Sequence, residues 1–229
     1  MKLTILGKYG PYPQGENTAC SGYLIEDGNT KILVDCGPGV LSRLQSFIDI
    51  KTLDAIYLTH LHYDHTSDLL PLRYYLDDLN HDINIITHIT DTPYADILLN
   101  HKHFILTHID ETSIINIGSL NLTFYKMVHP VVNHGILIKG TKNLGITGDT
   151  VYCKNVLELA NESDYLLADC SKPIGFTGPH MSADYAFKIV NKTNTTILAT
   201  HATPFQNTNN LFDNNSQIFP VEELKTYTL

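Results

Sequence analysis

The stretch Thr59-His60-Leu61-His62-Tyr63-Asp64-His65 places three imidazoles and one carboxylate within six residues. It directly follows the mostly apolar run 54–58, which is typical of a buried strand. Alternate residues of an extended chain point to the same side, so His60 and His62 can bind one cation. The carboxylate and the last imidazole follow where we expect the chain to turn into a helix. Because buried imidazoles and carboxylates are costly without a partner, the stretch predicts a metal site at the end of a strand.

Three later apolar runs also end in a potential metal ligand. They lead to His129, to Gly148-Asp149 and to His201. Open α/β sheets gather functional residues at the carboxyl ends of their strands, so we expect these side chains to converge. His134 is the alternative to His129, and the alternative role for Asp149 is to cap a turn. This supply of histidines suits two borderline cations better than calcium or magnesium, which prefer oxygen ligands.

The composition of the 229 residues narrows the classes of function. With 15 basic and 24 acidic residues the formal charge is −9, which opposes an extended nucleic-acid surface, since such surfaces need clustered Lys and Arg. The 12 histidines point to metal binding instead. The length fits a single domain over residues 1–229. No apolar run reaches the roughly 18 residues of a spanning helix, so we expect no membrane partner.

The cysteines and the beginning of the chain indicate a compartment. The cysteines lie far apart and form no CxxC pair, so we expect neither a disulfide framework nor a cysteine-based zinc site. Met1–Gly7 lacks the charged region, apolar region and cleavage site of a signal peptide and is predicted to contain a strand. We therefore expect a reduced, cytoplasmic protein.

Short β-branched runs alternate with helical patterns along the chain. Strands are predicted over Leu3–Gly7, Tyr23–Glu26, Lys31–Asp35, Ala55–Thr59, Ile83–Thr87, Leu120–Val128, Gly135–Lys139, Leu144–Thr147, Tyr165–Asp169 and Thr196–Thr200. Helices are predicted over Val40–Ile48, Ser67–Leu79, Pro93–Lys102, Asn155–Asn161, Ala183–Asn191 and Val221–Tyr227. Loops around 88–118 and 204–220 are expected to shape a pocket. Two mixed sheets with helices outside accommodate this order.

The histidines and aspartates form one composite motif. His60-x-His62-x-Asp64-His65, then His129, Gly148-Asp149-Thr150 and His201, resembles the metallo-β-lactamase-fold hydrolase superfamily. Asp35-Cys36-Gly37-Pro38-Gly39 is similar to the glycine turn below that family's site. The resemblance implies an α/β fold, a four-layer αββα sandwich of two mixed sheets flanked by helices. It also implies two divalent metal ions, one held by His60, His62 and His129, the other by Asp64, His65 and His201, with Asp149 bridging. Zinc is favoured, with manganese or iron as alternatives.

A second motif points to one branch of that superfamily. His180-Met181-Ser182 stands ahead of a predicted helix and resembles the element that supplies a catalytic histidine in ribonuclease Z; the alternative is a surface histidine. Only residues 130–148 separate His129 from Asp149, which leaves no room for the arm with which ribonuclease Z clamps transfer RNA. The opening stretch Leu6-Gly7-x-x-Gly10-Pro11-Tyr12-Pro13 resembles a bacterial group of short ribonuclease Z-like hydrolases.

We therefore expect a binuclear metal-dependent phosphodiesterase that uses a metal-bound hydroxide. Its substrate would be a small phosphodiester, such as a cyclic nucleotide or a short RNA end. Asp64 would orient the second metal and accept a proton, and His180 would protonate the leaving group or stabilise charge. The alternatives are a thioester or lactone hydrolase with the same metals, and a metal-loaded binding module without turnover. The resemblance also implies a homodimer.

Overall fold

The strands of the computed structural model, which describes residues 1–88, 92–206, 210–213 and 215–229, form two seven-stranded sheets. The first sheet contains β1 (Lys2–Gly7), β2 (Gly22–Asp27), β3 (Thr30–Val34), β4 (Ala55–Tyr57), β5 (Ile83–His88) and β6 (Phe104–Ile109). The second contains β7 (Ile114–Ile117), β8 (Leu120–Lys126), β9 (His134–Lys139), β10 (Asn143–Ile146), β11 (Tyr165–Asp169), β12 (Thr196–Thr200) and β13 (Ile218–Pro220). The last strand, β14 (Thr226–Thr228), returns to the first sheet beside β1.

Both sheets are mixed. The first has the spatial order β14-β1-β2-β3-β4-β5-β6 and is parallel from β3 to β6. The second has the order β13-β12-β11-β10-β9-β8-β7 and is parallel from β10 to β13. The remaining neighbours pair antiparallel. The carboxyl ends of the parallel strands therefore lie at one edge of each sheet, where α/β proteins place their sites.

Helices cover the outer face of each sheet. They are α1 (Val40–Leu44), α2 (Tyr63–Thr66), α3 (Leu69–Leu79), α4 (Pro93–Leu99), α5 (Lys154–Glu162) and α6 (Ala183–Val190). Leu72 and Leu76 of α3 are buried in one apolar cluster with Ile56 of the first sheet. Leu159 of α5 and Ile189 of α6 share another cluster with the second sheet. Each fully buried aliphatic side chain contributes about 1.5–3 kcal/mol to the stability of the fold, so the buried faces of these helices hold them against the sheets.

A third apolar cluster fills the space between the sheets. Tyr57 of β4 and Phe124 of β8 face each other across it, with their ring centroids 5.3 Å apart. The buried Tyr57 hydroxyl donates a hydrogen bond to the His134 carbonyl at 2.6 Å, so its one polar atom is satisfied. Helix, sheet, sheet and helix thus stack in four layers, and the predicted αββα sandwich is confirmed.

The predicted helix over Val221–Tyr227 is wrong. Leu224 has a left-handed backbone, with φ of 60°, and Thr226–Thr228 forms β14. The Leu224 N–H donates to the Ile5 carbonyl, and the Ile5 N–H donates to the Lys225 carbonyl. Pairing with the open edge of β1 therefore overrides the helix propensity of Val-Glu-Glu-Leu-Lys.

The segment expected to be loop between 88 and 118 contains two strands in addition to α4. Phe104–Ile109 extends the first sheet as β6, and Ile114–Ile117 forms β7 at the edge of the second. Both are edge strands with many exposed positions, which hides the apolar pattern of a buried strand. In the other expected loop, Ile218–Pro220 forms β13, while 207–209 and 214 lie outside the described residues. Among the described residues, no helix combines the length and apolarity needed to cross a membrane.

Candidate metal centre

The side chains predicted as metal ligands come together at the carboxyl ends of strands from both sheets. They form two sets, each with its ligand atoms within 4.8 Å of one another. The first set is His60, His62, His129 and Asp149, and the second is Asp64, His65, Asp149 and His201. Asp149 follows β10, directly after Gly148, and belongs to both sets.

The first set is built from three imidazoles and one carboxylate. His62 Nδ1 lies 3.0 Å from His60 Nε2 and 3.2 Å from His129 Nε2. Asp149 Oδ2 lies 3.7 Å from His60 Nε2 and 3.9 Å from His129 Nε2. Ligand atoms bound at 2.0–2.1 Å to one tetrahedral cation are separated by roughly 3.4 Å, so this spacing fits a transition metal.

The second set is more deeply buried. Asp149 Oδ1 lies 3.3 Å from His65 Nε2, and Asp149 Oδ2 lies 3.3 Å from His201 Nε2. Asp64 Oδ2 is 3.3 Å from His201 Nε2 and 3.6 Å from His65 Nε2. The buried His65 Nε2 finds no hydrogen-bond partner of acceptable geometry in the described part of the chain. An unpaired imidazole nitrogen between two carboxylates is the environment that a bound divalent cation satisfies.

Outer hydrogen bonds orient the imidazoles. His65 Nδ1 donates to Asp35 Oδ2 at 2.7 Å, and His129 Nδ1 donates to the Pro179 carbonyl at 3.1 Å. Nδ1 of each ring therefore points away from the centre as a donor, and Nε2 faces the centre. His60 Nδ1 lies 3.0 Å from the Thr59 hydroxyl, which also bonds to Asp35.

Glycines let the backbone come close to the ligands. A Cβ on Gly37 would lie 2.0 Å from the Asp64 carbonyl oxygen, so this glycine turn supports the second set from below. A Cβ on Gly10 would lie 2.0 Å from His201 Nε2, so the Gly10 backbone rests against that ring. Gly148 has φ of 57°, and a Cβ there would meet Asn133 and Thr59 within 3 Å. Gly148 thus permits close packing against protein atoms.

Burial and charge set the protonation of the centre. Burial lowers the pKa of His60 well below its ordinary value, and it also lowers the pKa of His62 and of His129, so all three offer lone pairs. Burial would raise the pKa of the Asp149 and Asp64 carboxyls, but the neighbouring histidines lower it by more. The pKa of Asp149 falls well below its usual range, and that of Asp64 falls to about 2.

His180 lies beside the second set and is not a member of either predicted set, but it forms a third group with Asp149, Asp169 and His201, whose ligand atoms also lie within 4.8 Å of one another. Its ring stacks on His201 with the centroids 4.8 Å apart, and Nδ1 is 3.8 Å from Asp149 Oδ2. Nδ1 donates to Asp169 Oδ2 at 2.7 Å. Burial lowers the pKa of His180, but the hydrogen bond and the charge of Asp169 outweigh it, so the net shift is upward. Ser182, at the N-cap of α6, donates to the Asp184 carboxylate and makes no side-chain bond to the helix backbone.

Asp169 is a site residue that the sequence reasoning missed. It ends β11, is buried, and lies within 3.5 Å of His201 Nδ1 through Oδ1. The signal was present, because Tyr165–Asp169 is another apolar run that ends in a potential ligand. His134, the alternative to His129, lies outside both sets, with its N–H bonded to the Thr59 carbonyl and its Nε2 3.8 Å from Glu111.

The comparisons with known proteins agree with this geometry. The family described as a beta-lactamase superfamily domain matches residues 30–201. The probable metallo-hydrolase YhfI of Bacillus subtilis is 30% identical over 216 residues, which cover 90% of this chain and 88% of that protein. A ribonuclease Z of Mycolicibacterium paratuberculosis is 30% identical over 192 residues, or 70% of this chain and 66% of that protein.

Solved structures give the same result for the fold. The crystal structure of YhfI, a metallo-beta-lactamase fold protein from Bacillus subtilis, superposes with a TM-score of 0.92 at 28% identity, covering 99% of this chain and 98% of that chain. A diphosphatase of the PhnP family has a TM-score of 0.78 at 16% identity over 100% of this chain and 97% of its own, which shows a shared fold.

A buried carboxylate shared by two histidine-rich sets, at the meeting edge of two sheets, defines a divalent-metal-binding centre of the metallo-hydrolase class. Family membership follows from the matches over most of the chain. The chain belongs to the beta-lactamase superfamily.

Proposed function

We propose that this chain is a binuclear metal-dependent phosphodiesterase that acts on small phosphodiesters. The observation that carries the proposal is the carboxylate of Asp149, which both sets share. Its Oδ1 faces His65, and its Oδ2 faces both His201 of the second set and His60 of the first. A histidine that is not needed as a ligand, His180, lies beside it. The ribonuclease Z relatives supply the reaction class, since phosphodiester cleavage is the chemistry that their name states.

The ligand sets fit two transition-metal ions. His60, His62 and His129 would hold one, Asp64, His65 and His201 the other, and Asp149 would bridge them. Zinc suits this mixture of imidazole and carboxylate, and manganese and iron are the alternatives. When bound, such a pair lowers the pKa of a water and offsets the negative charge that develops on phosphorus oxygens.

Two side chains would move protons. Asp169 holds His180 through Nδ1, which leaves Nε2 free to donate a proton to the departing alkoxide. The raised pKa of His180 keeps it charged to a higher pH than an ordinary imidazole. The pKa of Asp64 falls to about 2, so its carboxylate is ionised at neutral pH and would orient the attacking water by accepting a hydrogen bond, receiving its proton only transiently.

The short interval between His129 and Asp149 supports a small substrate. β9 and β10 occupy that interval, and their hairpin stays within the second sheet. With the charge of −9, this favours a small phosphodiester, such as a cyclic nucleotide or a short RNA end, over a folded RNA.

The test is the hydrolysis of bis-p-nitrophenyl phosphate beside a p-nitrophenyl ester and a thioester, with metal stoichiometry measured on the same sample. We expect phosphodiester turnover with about two metal equivalents per chain. Acyl hydrolysis alone, at the same metal content, would assign the centre to a thioester or lactone hydrolase. Metal binding with no turnover of any of the three would contradict both and indicate a binding module.

A further inference from the structure

Large exposed apolar side chains stand beside nearly every ligand-bearing segment. Tyr63 is 67% exposed between His62 and Asp64, and Phe205 is 76% exposed four residues after His201. We call this group the apolar collar; it consists of Tyr12, Tyr63, Val128, Ile174, Phe176 and Phe205. Clustered exposed apolar surface marks binding sites in soluble proteins.

Local contacts tie the collar to the metal centre. Tyr63 lies edge-on to Tyr94, with ring centroids 4.7 Å apart, which fixes it at the start of α2. Phe176 packs against Gly178, where a Cβ would lie 2.6 Å from its ring. The next residue, Pro179, accepts the hydrogen bond from His129.

The other side of the collar is tied in the same way. Tyr12 lies two residues after Gly10, whose backbone rests against the His201 ring. The Phe205 N–H donates to the Gln14 side chain at 2.9 Å, which joins the Phe205 loop to the Tyr12 loop. The loops of Tyr12 and Phe205 are therefore joined to each other, and the Tyr12 loop also contacts the His201 ring.

The collar segments are uncharged. Residues 9–15, 61–63, 128–133, 173–179 and 202–206 contain no Lys, Arg, Asp or Glu. Lys172, which immediately precedes one of them, is buried and donates to the Thr203 hydroxyl at 3.0 Å. A surface that tracks a polyanion needs clustered cations, whereas an uncharged aromatic surface binds planar apolar groups by stacking and area burial.

We propose that the apolar collar selects phosphodiesters whose non-reacting substituent is aromatic, with a nucleobase as the natural example. This inference rests on the proposed phosphodiesterase function and names the substrate class of that same centre. The phosphoryl group would sit at the ligand sets, and the aromatic substituent would stack on the collar, with Tyr63 and Phe176 as its main contacts.

A binding measurement tests the collar independently of turnover. Titration calorimetry on the metal-loaded protein compares phenylphosphonate with methylphosphonate, which share the phosphoryl group and differ in the substituent. We expect tighter binding of the phenyl compound by about 10-fold. The variants Tyr63→Ala and Phe176→Ala should each reduce this preference by about 3-fold or more. Equal binding of both phosphonates by the wild type would overturn the proposal.

A kinetic arm uses phenyl p-nitrophenyl phosphate and methyl p-nitrophenyl phosphate, which release the same leaving group. We expect the collar variants to lower the ratio of kcat/KM between these diesters through KM, with metal content unchanged. Tyr74→Ala on α3, 77% exposed in the wild type, is the matched control and should leave the ratio unchanged.

The outcomes are distinguishable. If neither diester turns over but the phosphonate preference holds and depends on Tyr63, the proposed function fails and the collar stands. If both diesters turn over with a ratio that the variants do not change, the collar proposal fails alone. If light scattering shows that the wild type is a dimer and the collar variants are monomers with unchanged ligand preference, the collar is a contact between copies and the proposal is overturned.

Discussion

His180 Nδ1 lies 2.7 Å from one oxygen of Asp169, while the other oxygen of the same carboxylate lies 3.5 Å from Nδ1 of His201. Neither Asp169 Oδ1 nor His201 Nδ1 has a hydrogen-bond partner among the described residues. One buried carboxylate therefore stands behind the proposed proton donor and behind a proposed metal ligand. This arrangement connects the acid to the metal centre.

Removing the His180 imidazole should slow the chemical step and leave the metals in place. We expect His180→Ala to lower kcat by about 10²–10⁴-fold, the usual contribution of a positioned general acid. Metal content, by plasma mass spectrometry, should match that of the wild type, because the His180 Nδ1 is engaged by Asp169 and the two predicted ligand sets are complete without His180. A loss of metal in this variant would show that His180 is a ligand.

Asp169 should act through His180. We expect Asp169→Asn to lower kcat less than His180→Ala does, because the imidazole remains but is held less firmly. In the double variant the loss in kcat should be smaller than the sum of the two single losses, since the part of the Asp169 effect that acts through His180 is already gone. Fully additive losses in kcat would contradict a positioning role.

Asp149 should be needed for both metals. We expect Asp149→Ala to lose most bound metal and turnover, because both ligand sets include this carboxylate. The contrast is His62→Ala, which leaves the second set intact and should retain about half of the metal. Stoichiometry after dialysis measures both variants, and a fully metallated Asp149→Ala protein would disprove the bridging role.

The absence of a side chain at Gly10 should be needed for metal binding by the second ligand set. We expect Gly10→Ala to displace the His201 ring, since the new Cβ would lie 2.0 Å from Nε2, and to weaken metal binding by more than 10-fold. Gly15→Ala in the same segment is the control for loop strain alone, because its φ of 65° disfavours a side chain while nothing lies within 4 Å of its Cβ position. Competition with a chromogenic chelator measures both; equal metal affinity would show that the backbone adapts.

Asp27 should give a pH-dependent contribution to stability far from the metal centre. Burial raises the pKa of this carboxyl, but hydrogen bonds from the Thr141 backbone N–H and hydroxyl, both at 2.7 Å, outweigh it and the net shift is downward. The contribution is therefore present above the unfolded-state pKa of about 3.9 and is lost as the pH falls through the lower folded-state value.

We expect Asp27→Asn to cost about 1–3 kcal/mol of unfolding free energy at neutral pH. The difference between the variant and the wild type should shrink in acid, because protonation removes the same charge from the native carboxyl. Urea unfolding of both proteins over a pH series measures that difference, in which other acid-sensitive groups cancel. A constant difference would contradict the assigned origin.

The convergence of the proposed ligands was predictable because the residues that form the motif are local in sequence. His60 and His62 follow β4, and Asp64 and His65 lie in α2 directly after them. The other proposed ligands end apolar runs that can be seen without a structure. Strand ends then converge because parallel strands of one sheet share an edge.

Other features depend on contacts between distant segments. The helix propensity of Val221–Tyr227 does not indicate that the end of this segment pairs with the edge of β1. The close approach of Gly10 to His201 joins opposite ends of the chain. Asp169 is the exception, since its position at the end of an apolar run was available from sequence.

The unequal burial of the two ligand sets has a kinetic consequence. All four residues of the second set are buried, whereas His62 and His129 of the first are only half-buried. In the proposed binuclear centre, the outer ion would exchange with solvent faster than the inner one. A chelator would then remove the two metal ions in two kinetic phases. Refilling the outer position with a different metal would give a heteronuclear protein, in which the two ions can be distinguished by spectroscopy.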